Sequence, residues 1–347
     1  MNKHGGYQGK NQKMRDFSVN INPLGIPDGI REKLVAGITE LVKYPEISGA
    51  SAIKKIAADL DVEPENVILG NGAIELIYLF ARSMGPAKAL IIQPTFNEYE
   101  RALKLYGWEV SHYVLTAEDD FAINPQILNA LIEKEKPQAV FLCNPNNPTG
   151  QVYSKVMISA MVAAAAPEIT WFLDESFLDF SNEMGSLSLL KSEHRGIFIL
   201  KSLTKFYALP GLRIGYGVAK PTIIKKMERF KEPWTINTLG LIAVTAVYDE
   251  TAYAEKTKAY ITKERQRVYH ELAQIDGIKV FKSNTDFHLC RLLQGTVNQL
   301  QVDLEEAGMA LRTCEDFIGL DSSYFRIAIK KAEDNNKLLT FLKNWRN

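Results

Sequence analysis

The sequence predicts an α/β fold: a large domain around a mostly parallel central sheet, followed by a smaller α+β domain. Three observations carry this. Between residues 67 and 205, apolar runs of strand length alternate with stretches of helical periodicity, the pattern of strands joined by crossover helices. Polar side chains follow directly on the ends of several of those runs, where open parallel sheets gather their ligands. Past residue 241 the pattern changes to long helical stretches and short strand-like pieces. The expected organisation is an N-terminal arm (1–35), a large domain (36–240) and a small domain (241–347).

With 347 residues and 46% hydrophobic content, the chain can bury a substantial core and is long enough for two domains. Its 41 basic and 41 acidic residues cancel, which gives no reason to expect a nucleic acid or an anionic membrane as partner. No apolar run approaches membrane-spanning length, and the start M-N-K-H-G-G-Y-Q-G-K lacks the apolar segment of a signal peptide, so a cytoplasmic protein is expected. Cys143, Cys290 and Cys314 lie far apart and form no C-x-x-C pair, which fits reduced thiols and gives no zinc site.

The arm, through D-F-S-V-N-I-N-P-L-G-I-P (16–27), is rich in Gly, Pro and Asn and reads as ordered chain without regular structure. His4, Asn20 and Asn22 could serve an anion as ligands; turn-forming Asn in a packed extension explains the same residues. A helical pattern with Ile30, Leu34, Ile38 and Leu41 begins at Pro27 and ends near Tyr44-Pro45, and a second helix runs from about Ser51 to Leu60. V-I-L-G-N-G-A-I-E-L-I-Y-L-F-A (67–81) reads as a short strand, a glycine turn and a buried helix. Backbone N–H groups at such a helix start can hold a phosphate. The third glycine of a dinucleotide fingerprint would have to stand at Glu75, so a nicotinamide-dependent oxidoreductase fits poorly.

A strand at 89–93 precedes a helix from about Asn97 to Tyr106, and a strand at 139–143 runs into N-P-N-N-P-T-G. An alanine-rich helix, from about Lys155 to Ala165, leads to the strand 171–174. From about Leu241 helical patterning extends to Ala273. Strands follow near 280–281, 287–292 and 325–329, with a helix between Asn298 and Ala307. The last helix carries Leu338, Phe341, Leu342 and Trp345 at helical spacing, a stripe for core packing.

The stretch K-S-L-T-K-F-Y-A-L-P-G-L-R-I-G-Y-G (201–217) follows the strand I-F-I-L (197–200). Ser202 and Thr204 offer hydroxyls to a phosphate or to the backbone. Pro210-Gly211 forces a turn, and Leu212 to Tyr216 reads as strand again, carrying Arg213. Lys205 stands just past a buried strand, beside Phe206 and Tyr207 and near Arg213. Its pKa is expected to be lowered, because desolvation and a neighbouring cation both disfavour the ammonium form. A lysine so placed can attack a carbonyl and form a Schiff base, as lysines do with pyridoxal phosphate (PLP). Asp174 follows Trp171-Phe172-Leu173, so it starts out buried and needs a cationic or hydrogen-bonding partner. A protonated pyridine nitrogen is such a partner; a helix N-cap is the plain alternative. Asn147, between prolines, fits a rigid turn or a ligand contact. Arg312 and Arg326 fall on strand-like segments, where a charge is costly without an anion beside it, whether from a ligand or a protein carboxylate.

In this order and spacing, these residues resemble the class I/II aminotransferase superfamily of fold-type I PLP enzymes over nearly the whole chain. The matching motifs are N-P-N-N-P-T-G (144–150), D-E-S-F (174–177), and S-L-T-K (202–205) with L-P-G-L-R-I-G-Y (209–216). The resemblance implies the fold-type I architecture and PLP as cofactor. It implies that Lys205 joins the cofactor aldehyde, that Asp174 pairs with the pyridine nitrogen, that Asn147 donates to the phenolic oxygen and that Phe96 lies against the ring. Gly72, Ala73, Ser202 and Arg213 would hold the cofactor phosphate, and Tyr44 would reach it across the interface of a homodimer.

Two details narrow the branch. Histidinol-phosphate aminotransferases usually read D-E-A-Y where this chain has Phe177, which removes a hydroxyl donor from the phenolic oxygen. The arm, H-G-G followed by D-F-S-V-N-I-N-P-L-G, and the segment G-L-D-S-S-Y-F-R-I-A-I look like those of the threonine-phosphate decarboxylases of cobalamin biosynthesis, which also carry Phe there. That likeness implies decarboxylation of a small phosphorylated amino acid, with His4, Asn20 and Arg312 on the substrate phosphate, Arg326 on its carboxylate and Asn147 also in contact. The alternative is a histidinol-phosphate-type aminotransferase. A silent PLP-binding or regulatory protein on this fold is a third class, which the presence of both Lys205 and Asp174 argues against.

Overall fold

The computed structural model describes residues 5–7, 9, 11, 13–191 and 196–345. The arm contributes a two-residue strand, β1 (Arg15–Asp16), and leads to helices α1 (Asp28–Gly37) and α2 (Ala50–Leu60). Next come β2 (Val67–Gly70), α3 (Ala73–Met84), β3 (Lys88–Gln93), α4 (Glu98–Leu105), β4 (Glu109–Val114) and α5 (Pro125–Glu135). β5 (Ala139–Cys143), α6 (Lys155–Ala164), β6 (Thr170–Asp174), β7 (Ile197–Ser202) and β8 (Gly215–Ala219) complete a seven-stranded sheet of order β2-β8-β7-β6-β5-β3-β4. All its pairings are parallel except those of β8 with its two neighbours.

The central strands are apolar along their length because helices cover both faces. β5 and β6 are buried at every position, and so is β7. On one face Phe141, Phe172 and Phe198 stand in register and stack, with ring centroids 4.6 Å and 5.1 Å apart. Phe80 of α3 meets Phe172 edge-on at 5.0 Å. Such pairs contribute about 1 kcal/mol each beyond simple burial. This ladder fixes the three strands whose C-terminal ends carry Cys143, Asp174 and Ser202, with Cys143 directly beside Asp174.

After α7 (Pro221–Glu228), α8 (Thr238–Ala246) and α9 (Thr251–Leu272), the chain builds a second, antiparallel sheet. It comprises β9 (Ile278–Val280), β10 (Phe287–Leu292), and, beyond α10 (Val297–Glu306) and β11 (Met309–Ala310), β12 (Arg312–Thr313) and β13 (Tyr324–Ala328), in the order β12-β13-β10-β9. β11 pairs instead with β1, in parallel. Phe17 extends this link: its N–H donates to Ala310 O at 2.7 Å, its carbonyl accepts from Ala328 N–H at 2.9 Å, and its ring is fully buried. The arm is thereby tied to the smaller sheet, which brings Ser18 to Ile21 against the end of the larger one. α11 (Ala332–Asn344) closes the chain, with Leu338 and Leu342 in the core and Phe341 and Trp345 packed against it.

Three expectations need correction. The helical pattern from Pro27 breaks at Gly37 into a 3-10 turn, Ile38–Val42, and Ile38 and Leu41 are more than half exposed rather than packed. The pattern from 241 to 273 is two helices separated by a 3-10 turn, Val247–Asp249. Arg213 is not on a strand: it takes a left-handed backbone conformation, φ 53°, and β8 begins at Gly215. Among the described residues no helix is long and apolar enough to cross a membrane.

Candidate active site

A cavity of about 370 Å³ opens at the C-terminal ends of β5, β6 and β7, and the arm and the smaller sheet supply its other walls. Asp174, at the end of β6, is 5% exposed. Its Oδ2 accepts the Tyr99 O–H at 2.5 Å and its Oδ1 accepts the Ser176 backbone N–H at 2.8 Å. These are the hydrogen-bonding partners that burial of the carboxylate demands, and both are neutral. Tyr99 is wholly buried, and desolvation, reinforced by the Asp174 carboxylate, holds its phenol well above the usual range, so it remains a donor. The Cys143 thiol beside them is pushed up to about 12, by burial first and by Asp174 second, which makes it inert as a nucleophile.

Lys205 projects from the loop after β7. Its Nζ donates to Ser202 Oγ at 3.2 Å and lies 5.2 Å from the centre of the Phe177 ring. Desolvation lowers its pKa, with Arg213 adding to the effect while Asp174 and Asp286 oppose it. Burial and the neighbouring cation are the two causes expected from the residues around it.

The start of α3 forms a cradle next to this lysine. Gly72 caps the helix at φ 74°, and a Cβ there would stand 2.4 Å from Arg213 Nη2. Glycine suits the backbone conformation, and a side chain there would have to displace the guanidinium. Arg213 Nη1 donates to Pro210 O at 3.1 Å, which holds the fork in place. Ala73, Ser202, Thr204 and Arg213 all line the cavity, which puts a helix start, two hydroxyls and a guanidinium on one cavity, the kinds of group that hold an anion.

Arg312 and Arg326 face one another across the β12–β13 pairing. Arg326 Nη1 donates to Asn147 Oδ1 and Nη2 to Ser18 O at 2.9 Å, and the guanidinium lies 5.1 Å from the centre of the Phe287 ring. Burial brings its pKa down to about 10, with Arg312 contributing in the same direction. Arg312 Nη2 donates to Asp316 Oδ2 at 2.7 Å and Nη1 to Thr313 O at 2.5 Å. Asp316 Oδ2 also accepts from Asn97 Nδ2 at 3.1 Å. Asn20 Oδ1 and Arg326 Nε are buried without a hydrogen-bond partner.

The cavity therefore brings together Asn20, Ala73, Phe96, Asn147, Asp174, Ser202, Lys205, Arg213, Arg312 and Arg326, and Gly72 adjoins it through Arg213. Asn22 is turned away from it, donating to Phe206 O and Thr257 Oγ1 at 2.7 Å and 2.9 Å, which makes it a packing residue. Tyr44 is not among the lining residues: it is 88% exposed, its ring 5.8 Å from that of Trp234. His4 lies outside the described residues. Tyr99, Asn97 and Asp316 are the functional neighbours that sequence reasoning missed. Only Tyr99 left a trace, as an aromatic three residues after Phe96, against which it packs edge-on at 5.7 Å.

Residues 12–342 match the aminotransferase class I and II family. The chain belongs to this family. The threonine-phosphate decarboxylase of Salmonella typhimurium is 33% identical over 335 residues, which cover 96% of this chain and 91% of that protein. The crystal structure of the histidinol-phosphate aminotransferase from Clostridium acetobutylicum superposes with a TM-score of 0.89 at 34% identity, covering 95% and 98% of the two chains. That of L-threonine-O-3-phosphate decarboxylase from Porphyromonas gingivalis gives 0.86 at 28% identity, covering 94% and 98%. Enzymes of this family use PLP, and the residues present fit it. The cradle that a Cβ at position 72 would obstruct suits its phosphate, the buried Asp174 carboxylate its pyridine nitrogen, and the Lys205 amine its aldehyde.

Proposed function

We propose that the protein is a PLP-dependent decarboxylase of small phosphorylated amino acids. Its substrate is L-threonine O-3-phosphate, converted to (R)-1-amino-2-propanol phosphate for the nucleotide-loop linker of cobalamin; L-serine O-phosphate would give ethanolamine phosphate. The observation that carries this reading is the pair of buried guanidinium groups, Arg312 and Arg326, on the same cavity as the Lys205 amine and the Asp174 carboxylate. A substrate with a carboxylate, a phosphate and an amine finds a partner for each. Phe177 favours decarboxylation over amino transfer, since the ring 5.2 Å from Lys205 Nζ carries no hydroxyl at this position.

In this mechanism Gly72, Ala73, Ser202 and Arg213 would hold the cofactor phosphate, Phe96 would flank its ring, Asn147 would meet its phenolic oxygen and Asp174 would keep its pyridine nitrogen protonated. When bound, PLP supplies an electron sink for whichever Cα bond lies normal to its ring. Arg326 would present a planar fork to the substrate carboxylate and hold it. Arg312 and Asn20, with His4, clamp the phosphate end. Lys205 Nζ returns a proton to Cα after CO₂ has left, a task that suits an amine whose pKa is lowered toward the working pH.

The same reading takes the chain as a cytoplasmic homodimer, divided into the arm, large domain and small domain given above. The support for a second copy is an exposed apolar face around Ile38, Leu41, Val42, Tyr44 and Trp234, all between 47% and 88% exposed. Tyr44 would extend from that face toward the partner's cavity.

A histidinol-phosphate-type aminotransferase is the second reading, favoured by the 34% identity to the Clostridium acetobutylicum enzyme. Incubation with L-threonine O-3-phosphate, with and without 2-oxoglutarate, separates the two. CO₂ release that does not depend on the oxo acid is expected; formation of glutamate instead would establish the aminotransferase.

A further inference from the structure

The two arginines differ in the charge of their partners. Among the described residues Arg326 meets only neutral oxygens, Asn147 Oδ1 and Ser18 O, and no carboxylate forms an ion pair with it. Asp286, whose charge reaches Arg326 through the interior, exchanges no hydrogen bond with it. Arg312, by contrast, has a resident carboxylate: Asp316 Oδ2 lies 2.7 Å from its Nη2, and only 6% of the Arg312 side chain and 21% of that of Asp316 are exposed.

Asp316 is held firmly in this position. Its backbone carbonyl accepts Asn97 Nδ2 at 3.0 Å and its Oδ2 accepts the same group at 3.1 Å, so the residue before α4 and the segment after β12 are pinned to one carboxylate. Asn97 and Arg312 line the cavity, and Asp316, which bonds to both, is not among the lining residues. Its other oxygen, Oδ1, is buried without a partner. A carboxylate kept at that cost beside a ligand-facing arginine must change what the arginine does.

We infer that Asp316 is a specificity-tuning residue that weakens the grip of Arg312 on the substrate phosphate so that the product can leave. The inference rests on the assignment of Arg326 to the substrate carboxylate and Arg312 to its phosphate. In a decarboxylation the two anions have opposite fates. The carboxylate departs as neutral CO₂, so Arg326 can bind it with undiminished charge and retain nothing afterwards. The phosphate remains on the product, and an arginine of full charge would hold it. Asp316 offsets part of that charge and fixes the direction of the fork. Affinity is thereby concentrated on the anion that the reaction removes, where it stabilises substrate relative to product.

The test compares the PLP-loaded wild-type protein with Asp316→Asn, which is nearly isosteric and retains a side-chain oxygen for Arg312 and Asn97. Binding of ethanolamine phosphate, which carries the phosphate but no carboxylate, is followed by the cofactor's absorbance. Removal of the negative charge should tighten this binding roughly fivefold, the size expected of a partly exposed ion-pair interaction. Binding of L-threonine, which has the carboxylate and no phosphate, should change less than twofold. Should the Asn form not fold, Asp316→Ser, smaller and also uncharged, carries the same expectation. Unchanged or weaker binding of ethanolamine phosphate in the folded variant would overturn the inference, as would equal tightening of L-threonine. Failure of the functional reading looks different: the wild-type protein would release no CO₂ from L-threonine O-3-phosphate, whatever the variant binds.

Discussion

The cavity has two unlike halves. The half at the end of the large sheet is set by β5, β6 and β7 on their aromatic ladder, whose registers place Cys143 beside Asp174 and Asp174 beside Leu200, two residues before Ser202. Asp174 already has two hydrogen bonds there and Lys205 has one. The other half is assembled from the arm, Asn147 and two strands of the smaller sheet, segments more than a hundred residues apart in the chain. Among its lining residues Asn20 Oδ1 and Arg326 Nε are buried without partners, whereas Ser176 Oγ is the counterpart on the sheet side. The difference teaches that one half is a preformed seat, while the other presents two buried guanidinium groups, one of them with an unpartnered N–H that suits an anion.

The strongest way to break this comparison is to remove the amine from the preformed half. Lys205→Ala should lower turnover about 10³-fold or more, measured as CO₂ release with the protein saturated in PLP. Asp174→Asn, on the same side, should lose on the order of 10²-fold in kcat while leaving substrate affinity nearly unchanged, as expected when a group acts electrostatically on the reacting system. On the anion side the signature should reverse. Arg326→Lys replaces a fork by a point charge and should cost about 2 kcal/mol in substrate binding, roughly thirtyfold in KM. An equal fall in kcat for Arg326→Lys and Asp174→Asn would show that the two halves are not separable.

A pH titration sharpens the same contrast. Because the Lys205 pKa in the folded protein is below 10.5, the neutral amine accumulates as pH rises through that lower value. The penalty for burying the ammonium is full below the folded pKa and is relieved as pH climbs toward the unfolded one. The rate at which the apoprotein takes up PLP should therefore rise with pH and level off with a midpoint below 10.5. Asp174→Asn removes a charge that favours the ammonium, so the midpoint should move lower still. A midpoint at or above that of a free lysine would contradict the burial argument. The smallest effect concerns the cradle: Gly72→Ala forces a side chain into a conformation that glycine tolerates and against Arg213, at about 2 kcal/mol. It should appear as weaker retention of PLP on dialysis and a melting temperature lowered by a few degrees.

The preformed half was also the legible one. Asp174, Asn147 and Lys205 follow short apolar runs whose length and β-branched and aromatic content favour strands, and the sheet rule then gathers their ends on one edge. Local conformation escaped the same reading: Leu212 to Tyr216 has strand-like composition, yet Arg213 turns left-handed so that its fork can reach past Gly72. β4 did not stand out because it is an edge strand carrying Glu109, Ser111 and His112 with little alternation in burial. The partners of Asp174 and Arg312 were invisible for a different reason. Tyr99 reaches Asp174 across 75 residues, and Asp316, although only four residues from Arg312, is held by Asn97 across 219, contacts that sequence spacing does not encode. Ile38 and Leu41 continued the apolar period of α1 but face outward, on the exposed apolar face assigned above to the proposed second copy.

The most direct test of the account is to find where the cofactor attaches. The PLP-loaded protein is reduced with borohydride, digested and mapped by mass spectrometry. The account predicts a pyridoxyl label on the peptide containing Lys205, absent in Lys205→Ala. A label on any other lysine, or none on a protein that still releases CO₂ from L-threonine O-3-phosphate, would contradict it.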